Sequence, residues 1–524
     1  MDKNKIKKFA INARQHLRDT VEVKLAGLGI TADKINNELP ISTTDKKYYV
    51  DDNENNALTG AQIGWRRDIV NELKNRDYDN DPKTAFNDFV EEVAYTWFNR
   101  IIALRFMEVN NYLPSRVRVL TSEEGKAEPD IVDEAMEIED DLGGYSDQEK
   151  ELITNALTDK TPELMDQLYM MLFIKQCDAL SEILPGLFEK TRNYLKLLFT
   201  PHYDRGVIQD LINEIPESYF DVNEEGQVQI IGWLYQYYNS EPHEKVVNMN
   251  GKVIKKDEIA AATQLFTPDW IVRYMVDNSL GKYYLERHED SQIKDELKYL
   301  LPDKIEKVND YKDITQYKIL DNAMGSGHVL VYAFDLLMRM YVEQGYSQRD
   351  AARQIIENNI FGLEIDKRAF QLAYFSLMMK GREYDRRFFR RVPKINLYYF
   401  NDLHVKDGFY DLIGDAKIKE DLKKLVSDFS DATELGAIIK IDKNVDVDAI
   451  RSAVKNIQIE SGLDVFGYDQ MKRHILKTLN IIKIMSAKYE VVVTNPPYMN
   501  KFDKTLRDCK IVCVRMNDSL NLFL

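Results

Sequence analysis

The chain of 524 residues is short of cysteine: it has three, and Cys177 alone lies before residue 505. So few thiols exclude a disulfide framework, and no Cys/His cluster has zinc spacing. No apolar run reaches membrane length, and no secretory h-region follows the polar start Met1-Asp2-Lys3-Asn4-Lys5. These shortages point to a cytoplasmic chain with no membrane partner. Proline is sparse, with 14 in all, so the consecutive pair Pro496-Pro497 stands out.

What is present is ordinary globular composition, 44% hydrophobic and 30% charged, with length for roughly two to four domains. The net charge of -16 runs against the basic surface usual for phosphate binding. Much of the excess is local, in a stretch at about 121–151 read as a solvated acidic insert or linker. Conversely Arg382, Arg386, Arg387, Arg390, Arg391 and Lys394 cluster around Phe388 and Phe389, a candidate phosphate or partner contact.

The apolar strand Val491-Val492-Val493 runs into Thr494-Asn495-Pro496-Pro497-Tyr498. Such a turn suits an exocyclic amine on a heteroaromatic ring, whose delocalised lone pair is a weak nucleophile. The Asn495 side-chain oxygen and the Pro496 carbonyl can both accept from that amine and draw its nitrogen toward tetrahedral geometry. Consecutive prolines hold the acceptors in place, and Tyr498 offers a face on which a flipped-out base gains roughly 1–3 kcal/mol of stacking.

Upstream, Lys318-Ile319-Leu320-Asp321-Asn322-Ala323-Met324-Gly325-Ser326-Gly327-His328 and the periodic run Val329 to Met340 read as strand, glycine turn and helix. The glycines permit close ligand approach, and the helix start offers free amides. The turn lacks the G-x-G-x-x-G spacing and the P-loop lysine, so a small nucleoside with a charged amino-acid tail fits better than a pyrophosphate. A second strand, Ile360 to Asp366, ends in Glu364, where doubly wound folds hold a ribose diol, and in Asp366, near enough to the next helix to cap it. A third, Ile395 to Phe400, is followed by Asp402, where a carboxylate can read an adenine amine.

The ordered series Thr267-Pro268, Asp321 with Gly325-Ser326-Gly327, Glu364, Asp402 and Asn495-Pro496-Pro497-Tyr498 resembles the S-adenosylmethionine-dependent N6-adenine DNA methyltransferases in the gamma arrangement. The runs Ala94 to Glu108 and Gly232 to Tyr238 further resemble the PglX-type methyltransferases of BREX phage-defence systems. The resemblance implies S-adenosylmethionine as cofactor, no metal, duplex DNA with a flipped-out adenine as substrate, and other defence-system proteins as partners. It implies that Asp321 and Gly325 to Gly327 hold the cofactor's amino-acid part, Glu364 its ribose hydroxyls and Asp402 its adenine. Thr267 and Pro268 would belong to the leading cofactor motif, with Thr267 as helix N-cap and Pro268 at the first helical position. Asn495, Pro496, Pro497 and Tyr498 would form the catalytic turn. Two positions depart from the family pattern: Asn322 stands where proline is usual, and Met324 where a small residue or cysteine is.

The expected architecture is α/β. A mainly helical N-terminal domain, 1–245, precedes a partial doubly wound methyltransferase core, 246–504, with a mostly helical insertion at about 405–485. Residues 505–524 hold two of the three cysteines and no regular period, and are read as an out-of-frame tail. The family's further strands and target-recognition region are then missing, and little or no methylation by this chain alone is expected. Two other readings share these residues: a methyltransferase of RNA bases or protein amides, and a non-catalytic subunit of a defence complex.

Asn322 leaves the loop after Asp321 freer than proline would. Substituting Asn322→Pro is expected to tighten S-adenosylmethionine binding by roughly two- to fivefold, the effect of about 0.4–1 kcal/mol of removed backbone freedom. Isothermal titration checks this, and unchanged affinity contradicts it.

Overall fold

The computed structural model describes the chain apart from residues 190–192, 225–227, 241–266, 303, 443, 460–466 and 496–524. It divides into two compact units, Met1–Tyr238 and Asn239–Leu524.

In the first unit, helix α1 (Lys3–Gly27) starts where the Asp2 carboxylate accepts from the Asn4 amide at 2.9 Å. Helix α2 (Pro82–Val109) starts at Asp81, whose side chain accepts from the Thr84 amide, with Pro82 in the first turn where its missing N–H costs nothing. From Val93 onward α2 is apolar around most of its circumference, the pattern of an enclosed helix, and Trp97, Phe98, Ile101 and Leu104 are buried. Trp97 meets Phe173 of α3 (Pro162–Ile183) at 6.2 Å between ring centroids, and Phe98 meets Tyr238 of α4 (Gln229–Tyr238) at 4.6 Å. Strands β1 (Lys46–Lys47) and β2 (Leu58–Thr59) form a short antiparallel pair beside these helices in sequence.

The acidic stretch is no solvated linker. Ile131, Val132, Ala135, Ile138 and Leu142 recur at close to helical spacing and are all buried, while the acids face outward. Several acids are also partnered: Asp133 by Lys126 at 3.1 Å and Glu139 by Lys150 at 2.9 Å.

The second unit holds a four-stranded sheet: β3 (Ile319–Asp321), β4 (Ile360–Glu364), β5 (Asn396–Tyr399) and β6 (Val491–Val492), in the order β5-β4-β3-β6 with every pairing parallel. The chain steps outward from β3 to β4 to β5, then returns to the other side of β3. Parallel strands need covered faces. One is covered by α6 (His328–Glu343) and α7 (Lys367–Tyr384), which pack on each other and on β4; α5 (Asp269–Val276) lies against α6. Met324 and Leu330 sit so close over Gly362 that a Cβ there would come within 2.4 Å and 2.9 Å of them. Met324 is therefore accommodated by the absent side chain at Gly362.

The segment expected as an insertion supplies the other cover. Leu320 and Leu363 share one core with Phe409, Leu422, Ile450 and with Leu479 and Ile482 of α8 (Tyr468–Met485), which leads into β6. The helices of this region are thus part of the crossover from β5 to β6. Among the described residues no helix is long and apolar enough to cross a membrane.

Candidate cofactor and catalytic site

The order β5-β4-β3-β6 reverses direction between β3 and β6, and the carboxyl ends of strands at such a switch point form the crevice where open α/β sheets bind ligands. Leu320 pairs with Val492, and the Val493 amide donates to the Leu320 carbonyl at 2.9 Å, so Thr494 and Asn495 leave the sheet next to Asp321.

Asp321 is 1% exposed and accepts from the Ala323 amide at 3.1 Å. Burial pushes its carboxyl up to about 7, because a charge there loses its water. Gly325 and Gly327 follow with φ of +53° and +84°. At Gly327 an added Cβ would lie 2.8 Å from the Ala373 Cβ of α7, so glycine there serves both the backbone turn and the approach of two helices.

Glu364, at the end of β4, accepts from the Gly325 amide at 2.7 Å, Ile365 at 2.9 Å and Asp366 at 3.0 Å. It therefore ties the glycine turn of one strand to the end of the next. Burial pushes this carboxyl too up to about 7, against the pull of those amides. Asp366 caps α7, accepting from the Arg368 amide at 2.9 Å. Asp402 sits three residues past β5, and its Oδ1 accepts from both the amide and the hydroxyl of Thr433 at 2.8 Å. Ser326 is half-buried on the same turn.

The leading motif departs from its expected cap. Helix α5 begins at Asp269 with Pro268 as N-cap and no side-chain cap bond. Instead of capping, the Thr267 hydroxyl accepts from the Asn495 Nδ2 at 3.0 Å, across 228 residues of sequence. The Thr267 carbonyl meets His328 Nδ1 at 3.0 Å, at the first position of α6. His328 Nε2 lies 3.5 Å from Asp269, and this contact, followed by that of Arg273 at 2.6 Å, holds the Asp269 carboxyl down to about 2. His328 and Asp269 were not singled out from sequence; a histidine immediately after the glycine turn was the available signal. Pro496, Pro497 and Tyr498 lie outside the described residues.

The arginine cluster precedes the amino end of β5, the opposite edge of the sheet from the carboxylates. Arg387 donates its amide to buried Asp385 at 2.9 Å, and Arg353 donates to the Arg391 carbonyl at 2.6 Å. The topology thus separates this cluster from the switch point. In the N-terminal unit Asp166, His202 and Asp204 bring metal-ligand atom types within 4.8 Å of one another, but Arg205 pairs with both carboxylates at 2.5 Å and 2.9 Å. That group is an ion-pair cluster.

Residues 256–391 match the N-6 DNA Methylase family model, and residues 358–512 match that of the Eco57I restriction-modification methylases. Residues 256–391 are thus similar to the N-6 DNA methylases. The first match contains Thr267, Asp321, the glycine turn and Glu364; the second contains Asp402 and the Asn495 turn. The chain is 44% identical over 528 residues to the adenine-specific methyltransferase PglX of Lacticaseibacillus casei (strain Zhang), covering 97% of this chain and 44% of that protein. It is 33% identical over 539 residues to the adenine-specific methyltransferase BrxX of Escherichia coli O9:H4 (strain HS), covering 95% of this chain and 42% of that one. The chain therefore spans less than half the length of both relatives.

The two raised carboxyls set a pH dependence of stability. Unfolded Asp and Glu release their protons near pH ~4, whereas Asp321 and Glu364 hold theirs until about 7 in the folded state. Between those values the folded state binds more protons, so stability falls as pH rises from 4 to 7, by on the order of 1 kcal/mol per pH unit per group. Asp321→Asn is expected to remove one group's share, so that urea midpoints at pH 5 and pH 7.5 lie closer together than in the parent protein. An unaltered gap contradicts the assignment.

Proposed function

We propose that this chain binds S-adenosylmethionine at the β3/β6 switch point and carries the catalytic turn for methyl transfer to adenine N6 in double-stranded DNA, within a phage-defence system. The observation that carries this reading is the convergence of buried Asp321, the glycine turn tied to Glu364, and Asn495 at one end of the sheet.

The residues fit the cofactor. Gly327 leaves no room for a side chain, so backbone lines that part of the turn. Two buried carboxyls stabilised by amides suit a ligand bearing an ammonium and a sulfonium charge. In this reading Asp321 and Gly325, Ser326 and Gly327 hold the amino-acid part and Glu364 the ribose hydroxyls. Asp402 reads the cofactor adenine, and Thr267 and Pro268 line the approach. When bound, S-adenosylmethionine supplies an electrophilic methyl group.

On the substrate side, the Asn495 oxygen and the Pro496 carbonyl accept the two hydrogens of the target amine, which restores nucleophilic character to its nitrogen. Pro497 stiffens the turn, and Tyr498 stacks on the extruded base. Extrusion is required because the amine is inaccessible within a paired duplex.

Titration calorimetry of the purified chain is expected to give one S-adenosylmethionine site. A cation that needs the Asp321 carboxylate, of pKa about 7, binds roughly tenfold more tightly at pH 8 than at pH 6, and Asp321→Asn is expected to remove that share of the dependence while Glu364 keeps its own. Transfer of labelled methyl to duplex DNA, read as N6-methyladenine, is expected to drop about 100-fold or more in Asn495→Ala, with cofactor affinity kept within about twofold. Absence of cofactor binding overturns the reading; because little or no transfer is expected of this chain alone, its catalytic half is overturned by transfer that persists undiminished in Asn495→Ala.

A further inference from the structure

We infer that Thr267 is a positioning residue for Asn495: its hydroxyl holds the catalytic amide, so the leading motif serves the target base as well as the cofactor. The inference rests on the proposed role of Asn495 and assigns Thr267 a task distinct from touching the cofactor.

A side-chain amide has a donor end and an acceptor end, and an adenine amine is a donor. Only the oxygen of Asn495 can serve that amine, so the amide must be held by its nitrogen end. Thr267 Oγ1 accepts from Asn495 Nδ2 at 3.0 Å, which occupies the nitrogen and leaves Oδ1 for substrate. A threonine hydroxyl can also donate, so it fixes the plane and position of the amide, while the substrate's own hydrogens select which end faces them.

A hydroxyl can anchor only if it is itself held in place. Thr267 is fixed through its carbonyl, which accepts from His328 Nδ1 at 3.0 Å. A carbonyl only accepts, so the proton of that bond belongs to Nδ1. His328 is the first residue of α6 and directly follows Gly327. The segment that follows is docked as well: Arg273 lies over the Tyr332 ring at 5.0 Å, and the Tyr332 hydroxyl donates to Asp277 at 2.7 Å. The strut Asn495–Thr267–His328 thus joins the catalytic amide to the helix that begins at the glycine turn. An Asn that rotates freely loses the preorganisation on which amine activation depends.

The test compares Thr267→Val, which keeps shape without the hydroxyl, and Thr267→Ser, which keeps the hydroxyl. Protein labelled with 15N-asparagine reports the Asn495 side-chain amide, assigned by its loss in Asn495→Asp. The expected result is slow hydrogen exchange of that amide in the parent chain and in Thr267→Ser, and fast exchange in Thr267→Val. Methyl transfer to duplex DNA is expected to fall about tenfold or more in kcat in Thr267→Val and to be rescued by serine, as loss of a transition-state contact of about 1.4 kcal/mol gives. S-adenosylmethionine affinity is expected to fall by clearly less than kcat in Thr267→Val, since Thr267 also lines the cofactor's approach. An unchanged Asn495 signal in Thr267→Val overturns the inference, as does a tenfold loss of cofactor affinity that serine restores. If the parent chain alone transfers no methyl group, the amide signal by itself decides the role of Thr267.

Discussion

One buried carboxylate organises the site. Glu364 ends β4 and accepts amide hydrogens from Gly325, Ile365 and Asp366, so the glycine turn after β3 cannot move without breaking a hydrogen bond to a buried side chain. The turn in turn sets the start of α6 and hence His328, and His328 meets the carbonyl of Thr267. Asn495 reaches the same knot from the neighbouring strand. Segments far apart in sequence are held at one end of the sheet because each contributes a polar group that another satisfies, where an unpaired one would be costly.

The fold around this knot follows from covering a parallel sheet. Helices α6 and α7 close one face, and the long region between β5 and β6 closes the other through Leu320, Leu363, Leu479 and Ile482. That region belongs to the sheet's own core. Its reach to the site is direct: Thr433, within it, donates twice to Asp402. The proposed reading of the cofactor adenine by Asp402 is therefore coupled to a segment whose local sequence looked like an addition.

Much of the fold was legible because it obeys local rules. The Asp321 strand, the glycine turn, Glu364 and α7 with its Asp366 cap lie where apolar runs, glycines and capping chemistry put them. What could not be read depends on partners distant in sequence. Thr267 before a proline satisfies the rule for a helix cap, but Asn495 claims its hydroxyl and the helix starts one residue later than the rule suggests. The acidic stretch looked solvated because charge count dominated, whereas its apolar residues at close to helical spacing face the interior of the first unit. The arginine cluster invited a phosphate, yet strand direction puts it at the opposite edge of the sheet from Asp321.

The central claim is that the carboxyl ends of β3 and β4 form the cofactor cradle and that Asn495 stands beside it. A crystal structure of the chain with S-adenosylhomocysteine tests this most directly. The ligand's amino-acid end is expected at Asp321 and Gly325 to Gly327, its ribose at Glu364, and the Asn495 side chain still bonded to Thr267. A ligand seated elsewhere, or an Asn495 amide turned away from the ligand and released from Thr267, would contradict it.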